Sequence, residues 1–132
     1  MRVIALPTDE KEAQGIFGIF YAAAFQGEGA KDAAGARALG KLQDDLEAVA
    51  TERRITEGEQ VATVWELQKG VTEIRLEDAR YEILKARIFG AGVPWLPTAV
   101  RRVAAAFDLV EAAVEEKPGA VAKAAKKGKG RG

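Results

Sequence analysis

The sequence predicts an α+β fold, a helix-rich single domain with a β-hairpin over residues 1–116, followed by a flexible basic tail over 117–132. Three observations lead there. Leu39, Leu42, Leu46 and Val49 recur at spacings of three, four and three, and Val100, Val103, Phe107, Val110 and Val114 at three, four, three and four, the period of helices with one apolar face. Between Glu59 and Leu76 the period changes to two. Finally, Lys117 to Gly132 holds six of the chain's twenty Lys and Arg and none of its twenty Asp and Glu, so formal neutrality conceals a body of net −6 and a tail of +6.

Taken in order, Val3 and Ile4 predict a short strand over Arg2 to Leu6, and Pro7 places it at a sheet edge. Asp9, with Glu12 three residues on, predicts a capped helix start, and Glu10 and Glu12 suit the positive end of a helix running to about Gln26. Its segment from Ile16 to Phe25 is apolar around most of its circumference. It is therefore either the central buried helix, the preferred reading, or a surface offered to a partner through Phe17, Phe20, Tyr21 and Phe25. After the breaker cluster Gly27 to Asp32, with Asp32 as N-cap, the Leu39 stripe predicts a second helix ending near Arg53 and Arg54, whose charges suit a helix C-terminus.

Val61, Thr63, Trp65 and Leu67 then share one strand face, and Thr72, Ile74 and Leu76 resume the alternation after Lys69-Gly70, which predicts a hairpin turning at that Gly. Glu77 and Asp78 open a third helix with Ala79, Ile83, Leu84 and Ile88 inward, and Gly90-Ala91-Gly92 closes it. Pro94 and Pro97 flank Trp95 in a rigid connector, Pro97 fits the first turn of the last helix, and Pro118-Gly119 stops that helix. The connector is short enough for the third and fourth helices to pack antiparallel.

Composition excludes much chemistry. Cys, His, Ser and Asn are all absent, which removes disulfides, the commonest general base, the Ser and Cys nucleophiles and the usual zinc ligands. No catalytic residue, cofactor or metal site is expected. Missing Asn and Cys fit a protein from a thermophile, and GC-rich coding fits the same composition. The longest apolar stretch, Ile16 to Phe25, has ten residues against the ~20 that span a bilayer. Thr8 to Glu12 is polar where a signal peptide would be apolar, so a cytoplasmic protein that is neither secreted nor membrane-bound is expected.

Four features carry candidate chemistry. Gly35 to Lys41 matches the first seven positions of a phosphate-binding loop, but Leu42 stands where a hydroxyl must hold magnesium, and no strand precedes it. Paired acids at Asp44/Asp45, Glu57/Glu59, Glu77/Asp78 and Glu115/Glu116 read as caps, turns or solvated faces. Trp65, Trp95 and Tyr81 could stack bases, yet Glu66 and Glu82 surround them with negative charge, and core or connector packing is preferred. The tail cations Lys117, Lys123, Lys126, Lys127, Lys129 and Arg131 fit non-specific nucleic acid, an acidic protein surface or a solubilising role.

From Ile74 to Glu116 the order is a strand ending in Leu76-Glu77-Asp78-Ala79, then Tyr81-Glu82-Ile83-Leu84-Lys85, Val93-Pro94-Trp95 and a helix holding Val103 and Phe107-Asp108. This third of the chain resembles small uncharacterised proteins that tailed bacteriophages encode among their structural and assembly genes. The resemblance implies a viral accessory or assembly role without enzymatic activity, in the host cytoplasm or the virion, and assigns no site residues. The leading expectation is thus a non-enzymatic phage accessory or virion-assembly protein acting through protein–protein contacts, with Phe17, Phe20, Tyr21, Phe25, Trp65 and Trp95 as interface candidates. Its rivals are a nucleic-acid-binding protein using the tail, and an inhibitor of host machinery whose acidic body mimics nucleic acid.

Overall fold

The computed structural model describes residues 1–90 and 92–115 and bears out the α+β class: four α-helices pack around one core, closed by a three-stranded sheet, and a separate two-stranded hairpin projects from it. Strand β1 (Arg2–Ala5) is the middle strand of the sheet rather than an edge. It pairs antiparallel with β4 (Glu73–Leu76) on one side and with β5 (Val114–Glu115) on the other. Pro7 misled because the ladder ends at Ala5, two residues earlier, so the missing N–H breaks no strand bond. Ile4 lies opposite Ile74, and both are buried.

Helix α1 (Glu10–Phe25) starts where Asp9 accepts bonds from the N–H groups of Lys11 and Glu12 at 2.8 and 3.3 Å. It packs against all three other helices, which is why it is apolar on nearly every side. Helix α2 (Ala33–Ala48) is capped by Asp32, which accepts from Gly35 N–H at 2.7 Å, and buries Leu42 and Leu46 completely. It ends about a turn before Arg53. Residues Ala50–Glu57 form β2 instead, paired with β3 (Gln60–Leu67) around a turn at Gly58-Glu59.

The hairpin therefore turns at Gly58 and not at Gly70. Period-two alternation states that a strand exists but not which strand it meets, and Thr72 to Leu76 alternates equally well as the neighbour of β1. Gly58 takes φ +62 at the first central position and Glu59 stays at negative φ, the type II′ geometry that matches hairpin twist. Gly70, at φ +85, still turns the chain, but from the hairpin into the three-stranded sheet.

Helix α3 (Asp78–Gly90) buries Tyr81, Leu84 and Ile88, while Ala79 faces solvent. Helix α4 (Val100–Glu111), preceded by a 3-10 turn over Pro97–Ala99, buries Val103, Ala106 and Val110. It stops before Pro118 is reached. Val100 and Val114, placed on its inner stripe by their spacing, are exposed, the latter because the chain leaves the helix to pair with Val3. The first turn of α3 meets the last turn of α4 through Tyr81, whose hydroxyl donates to the Val110 carbonyl at 2.6 Å in a buried setting. Tyr81→Phe should cost about 1 kcal/mol by removing that bond, since the Val110 carbonyl still accepts from the Ala113 N–H at 3.1 Å. Denaturation midpoints check this, and an unchanged midpoint would show that the bond contributes nothing.

Candidate interaction surface

Where the chain departs most from a closed globule is the hairpin. Thr51 to Glu57 and Gln60 to Thr63 are exposed on both faces, whereas Ala50 and Leu67 at its root are buried. One face carries Glu52, Arg54, Thr56, Val61, Thr63 and Trp65, the other Thr51, Arg53, Ile55, Ala62, Val64 and Glu66. Val61 is 63% exposed and Ile55 37%, so the arm sets apolar groups in water on both sides. Arg53 pairs with Glu66 at 3.2 Å and Arg54 with Glu52 at 3.7 Å, which is where the two arginines expected at a helix end are used. A two-stranded hairpin without a packed face is marginally stable at best.

Its anchor is a side chain. Gln14 on α1 accepts from the Leu67 N–H at 2.9 Å and donates to the Leu67 carbonyl at 2.7 Å, so one amide acts as the strand neighbour of that residue. Gln68 N–H bonds the Val49 carbonyl at 2.9 Å, toward β2. Because successive residues of a strand point their backbone groups to opposite sides, Val61, Thr63 and Trp65 aim their N–H and C=O groups away from β2, as Leu67 does. Among the described residues no strand pairs with that edge.

The aromatic candidates divide. Phe17 and Phe20 are 1% and 0% exposed, which corrects their interface role: they fill the core, as the preferred reading of the helix had it. Tyr21 is half-buried and stacks on the exposed Phe25 with centroids 4.2 Å apart. Burial first, then the nearby Glu47 carboxylate, raises the Tyr21 hydroxyl above its ordinary pKa of 10.0, keeping it neutral. Trp65 is half-buried at the base of the hairpin, and Trp95 is half-buried with Nε1 donating to the Ile88 carbonyl at 2.7 Å, so both pack on the core. Phe89, whose ring lies 5.1 Å from that of Phe107, Leu96 and Val100 are further apolar side chains exposed to solvent. Phe89 and Val100 are apolar at helical spacing and look like core in the sequence, whereas Leu96 stands in the connector.

The tail candidates Lys117, Lys123, Lys126, Lys127, Lys129 and Arg131 lie outside the described residues. On the domain itself, a groove of about 660 Å³ between α1 and α4 is lined by Lys11, Arg101 and Arg102 together with Glu12 and Asp108. These three cations make no ion pair with a described residue. Gly15 leaves the room, since a Cβ there would stand 2.8 Å from Arg102 Nε. Elsewhere charge serves packing: Arg80 donates to Asp45 at 2.8 Å, tying α3 to α2, and that hydrogen bond is the leading cause holding its guanidinium above the ordinary arginine pKa.

Gly35 to Lys41 lies within helix α2, so its backbone N–H groups cannot cradle a phosphate. Among the described residues no group of three acids comes together to hold a metal, and no helix is long and apolar enough to cross a membrane. The chain matches no protein-family model, no curated protein and no solved structure.

Proposed function

We propose that the protein is a non-enzymatic accessory or assembly protein that works by protein–protein contact, of the kind tailed bacteriophages encode, and that the β2–β3 hairpin is its contact element. The observation that carries this reading is the hairpin's exposure on both faces, with a strand edge that no described residue pairs and apolar Val61 and Ile55 in solvent. Added strands are a general way for proteins to bind one another, because backbone groups supply the bonds and alternate side chains the selectivity. The phage assignment rests on the resemblance of residues 74–116.

A photocrosslinking residue placed at Val61, and another at exposed Lys41 on α2 as control, tests this in the native source. Protein adducts at Val61 and not at Lys41 are the expected result. Silence at Val61, or turnover of a small substrate that disappears with one carboxylate, would reject it.

A second reading has its own support: the six tail cations and the three unpaired cations of the α1–α4 groove fit a polyanion. If all six tail charges met phosphates on duplex DNA, log affinity would fall against log salt with a slope of about −5. Gel shifts across salt, comparing the full chain with one ending at Glu116, decide it. Equal binding by both chains would discard the tail as the binding element.

A further inference from the structure

We infer that the partner for the exposed edge of β3 is a second copy of this chain, paired antiparallel across a two-fold axis at Thr63 to make a four-stranded sheet in the order β2-β3-β3-β2. This rests on the reading of the hairpin as a contact element and names what it contacts.

Three residues of β3 have backbone groups that pair with no other described residue. On its outer edge these are Val61, Thr63 and Trp65, since Leu67 is occupied by Gln14 and the turn at Gly58-Glu59 lies beyond Gln60. In a symmetric antiparallel pair the residue numbers facing each other have a constant sum. Centring on Thr63 places Thr63 against Thr63 of the second copy, Val61 against its Trp65, and Trp65 against its Val61. All three residues face outward, so each facing pair exchanges both of its bonds and no free group on this edge is wasted. Moving the centre to Ala62 or Val64 leaves one of the three facing the turn or the Gln14-capped Leu67. The same register brings Glu59 of the second copy to the end of the ladder at Leu67, where Gln14 already stops it.

Side chains agree with that register. The Trp65 ring meets the Val61 side chain twice, an aromatic–β-branched cross-strand pair, and Thr63 meets Thr63. On the opposite face Ala62 meets Val64, and Gln60 meets Glu66. No charge faces a like charge. Gln60 to Trp65 contains no Lys, Arg, Asp, Glu or Pro, the residues by which edge strands ordinarily repel other strands.

The β2 edge fails the same examination. Its outward groups belong to Glu52, Arg54 and Thr56, and the register that uses all three sets Arg54 against Arg54. Isologous contacts require a self-complementary surface, and of the hairpin's two edges it is that of β3 which is free of this repulsion.

Disulfide trapping of the full chain tests the geometry, because the sequence contains no cysteine of its own. Facing residues of a bonded antiparallel pair lie about 5.5 Å apart at Cα, within the span of a disulfide. Thr63→Cys should therefore oxidise to a covalent dimer, and Arg54→Cys should not. Light scattering of the unmodified chain should give twice the chain mass at about 100 µM, a concentration far above a micromolar dissociation constant. Thr63→Lys alone and Thr63→Glu alone should each lose the dimer, and an equimolar mixture should regain it, a rescue that a misfolded variant cannot show.

A monomer by light scattering, a dimer that persists in Thr63→Lys, or trapping through Arg54→Cys would each overturn the two-fold at Thr63. If the chain is monomeric while Val61 still crosslinks a different protein, the contact-element reading survives and this inference alone falls. Loss of both would remove the hairpin from function altogether.

Discussion

Phe20→Ala should destabilise the domain by about 3–5 kcal/mol, a loss on the scale expected for emptying a buried aromatic site. Phe20 is fully buried in α1, a helix that all three others touch. The surroundings cannot collapse into the vacated space without moving three helices at once, so the upper part of that range applies. Against a total of about 5–15 kcal/mol for a domain of this kind, the variant is left close to the threshold of unfolding. Urea denaturation should show a lowered midpoint with an unchanged slope. Phe25→Ala is the control: its ring is 37% exposed, and its removal should cost less than about 1.5 kcal/mol. Equal costs for the two would place Phe20 outside the core and undo the packing described for α1.

The second large effect belongs to Arg87, a residue the sequence does not mark. Helix α1 has no basic residue in its last turn; of its final carbonyls, Ala22 accepts from the Gln26 N–H and Ala24 from the Gln43 side chain, which leaves Ala23 to Arg87. Arg87 reaches over from α3 and donates to the carbonyls of Ala23 at 2.6 Å, Gln26 at 2.9 Å and Glu28 at 2.8 Å. A single guanidinium thus closes one helix, fixes the loop after it and ties both to a second helix. Arg87→Ala should cost about 2 kcal/mol, since charged donors contribute more than neutral ones and the part-buried Ala23 carbonyl loses its donor, while the exposed Gln26 and Glu28 carbonyls can turn to water. Arg87→Lys should recover only part, because an ammonium lacks the planar fork that spans three acceptors. Hydrogen exchange should quicken at the C-terminal end of α1 first. A variant losing less than about 0.5 kcal/mol, the level of an ordinary surface change, would show that water replaces Arg87 without penalty.

The helices were legible because their signals are local. Asp9 and Asp32 cap where their positions announce it, and Leu42, Leu46, Val103 and Val110 point inward at helical spacing. Strand β2 was hidden because Val49 to Arg54 mixes residues tolerated by both structures, and two arginines imitated a helix end. The signal that marks it is Gly58 standing between Thr51-to-Thr56 and Val61-to-Val64, two runs rich in β-branched residues. Partner choice among strands depends on distant residues: nothing near Val3 says that Arg75 and Val114 will flank it.

As for the interaction surface, Trp65 and its alternating neighbours were visible as one strand face, but the exposure of that strand was not. Exposure follows from how far the arm projects beyond α1, a property of three-dimensional placement. Phe17 and Phe20 could not be separated from Tyr21 and Phe25 by periodicity, since a helix packed on several sides has no polar face to orient it.

Strand β1 precedes every other element of the domain in the chain, yet it lies between two strands made much later, and its last neighbour is Val114. While the nascent chain is being extended, Ile4 and the groups around it have no sheet partner until Ile74 is made, and the sheet that closes the core cannot be completed until nearly the whole domain has left the ribosome. Closure of the sheet on the β5 side is therefore a late event in the making of the domain, although Ile4 can meet Ile74 before it.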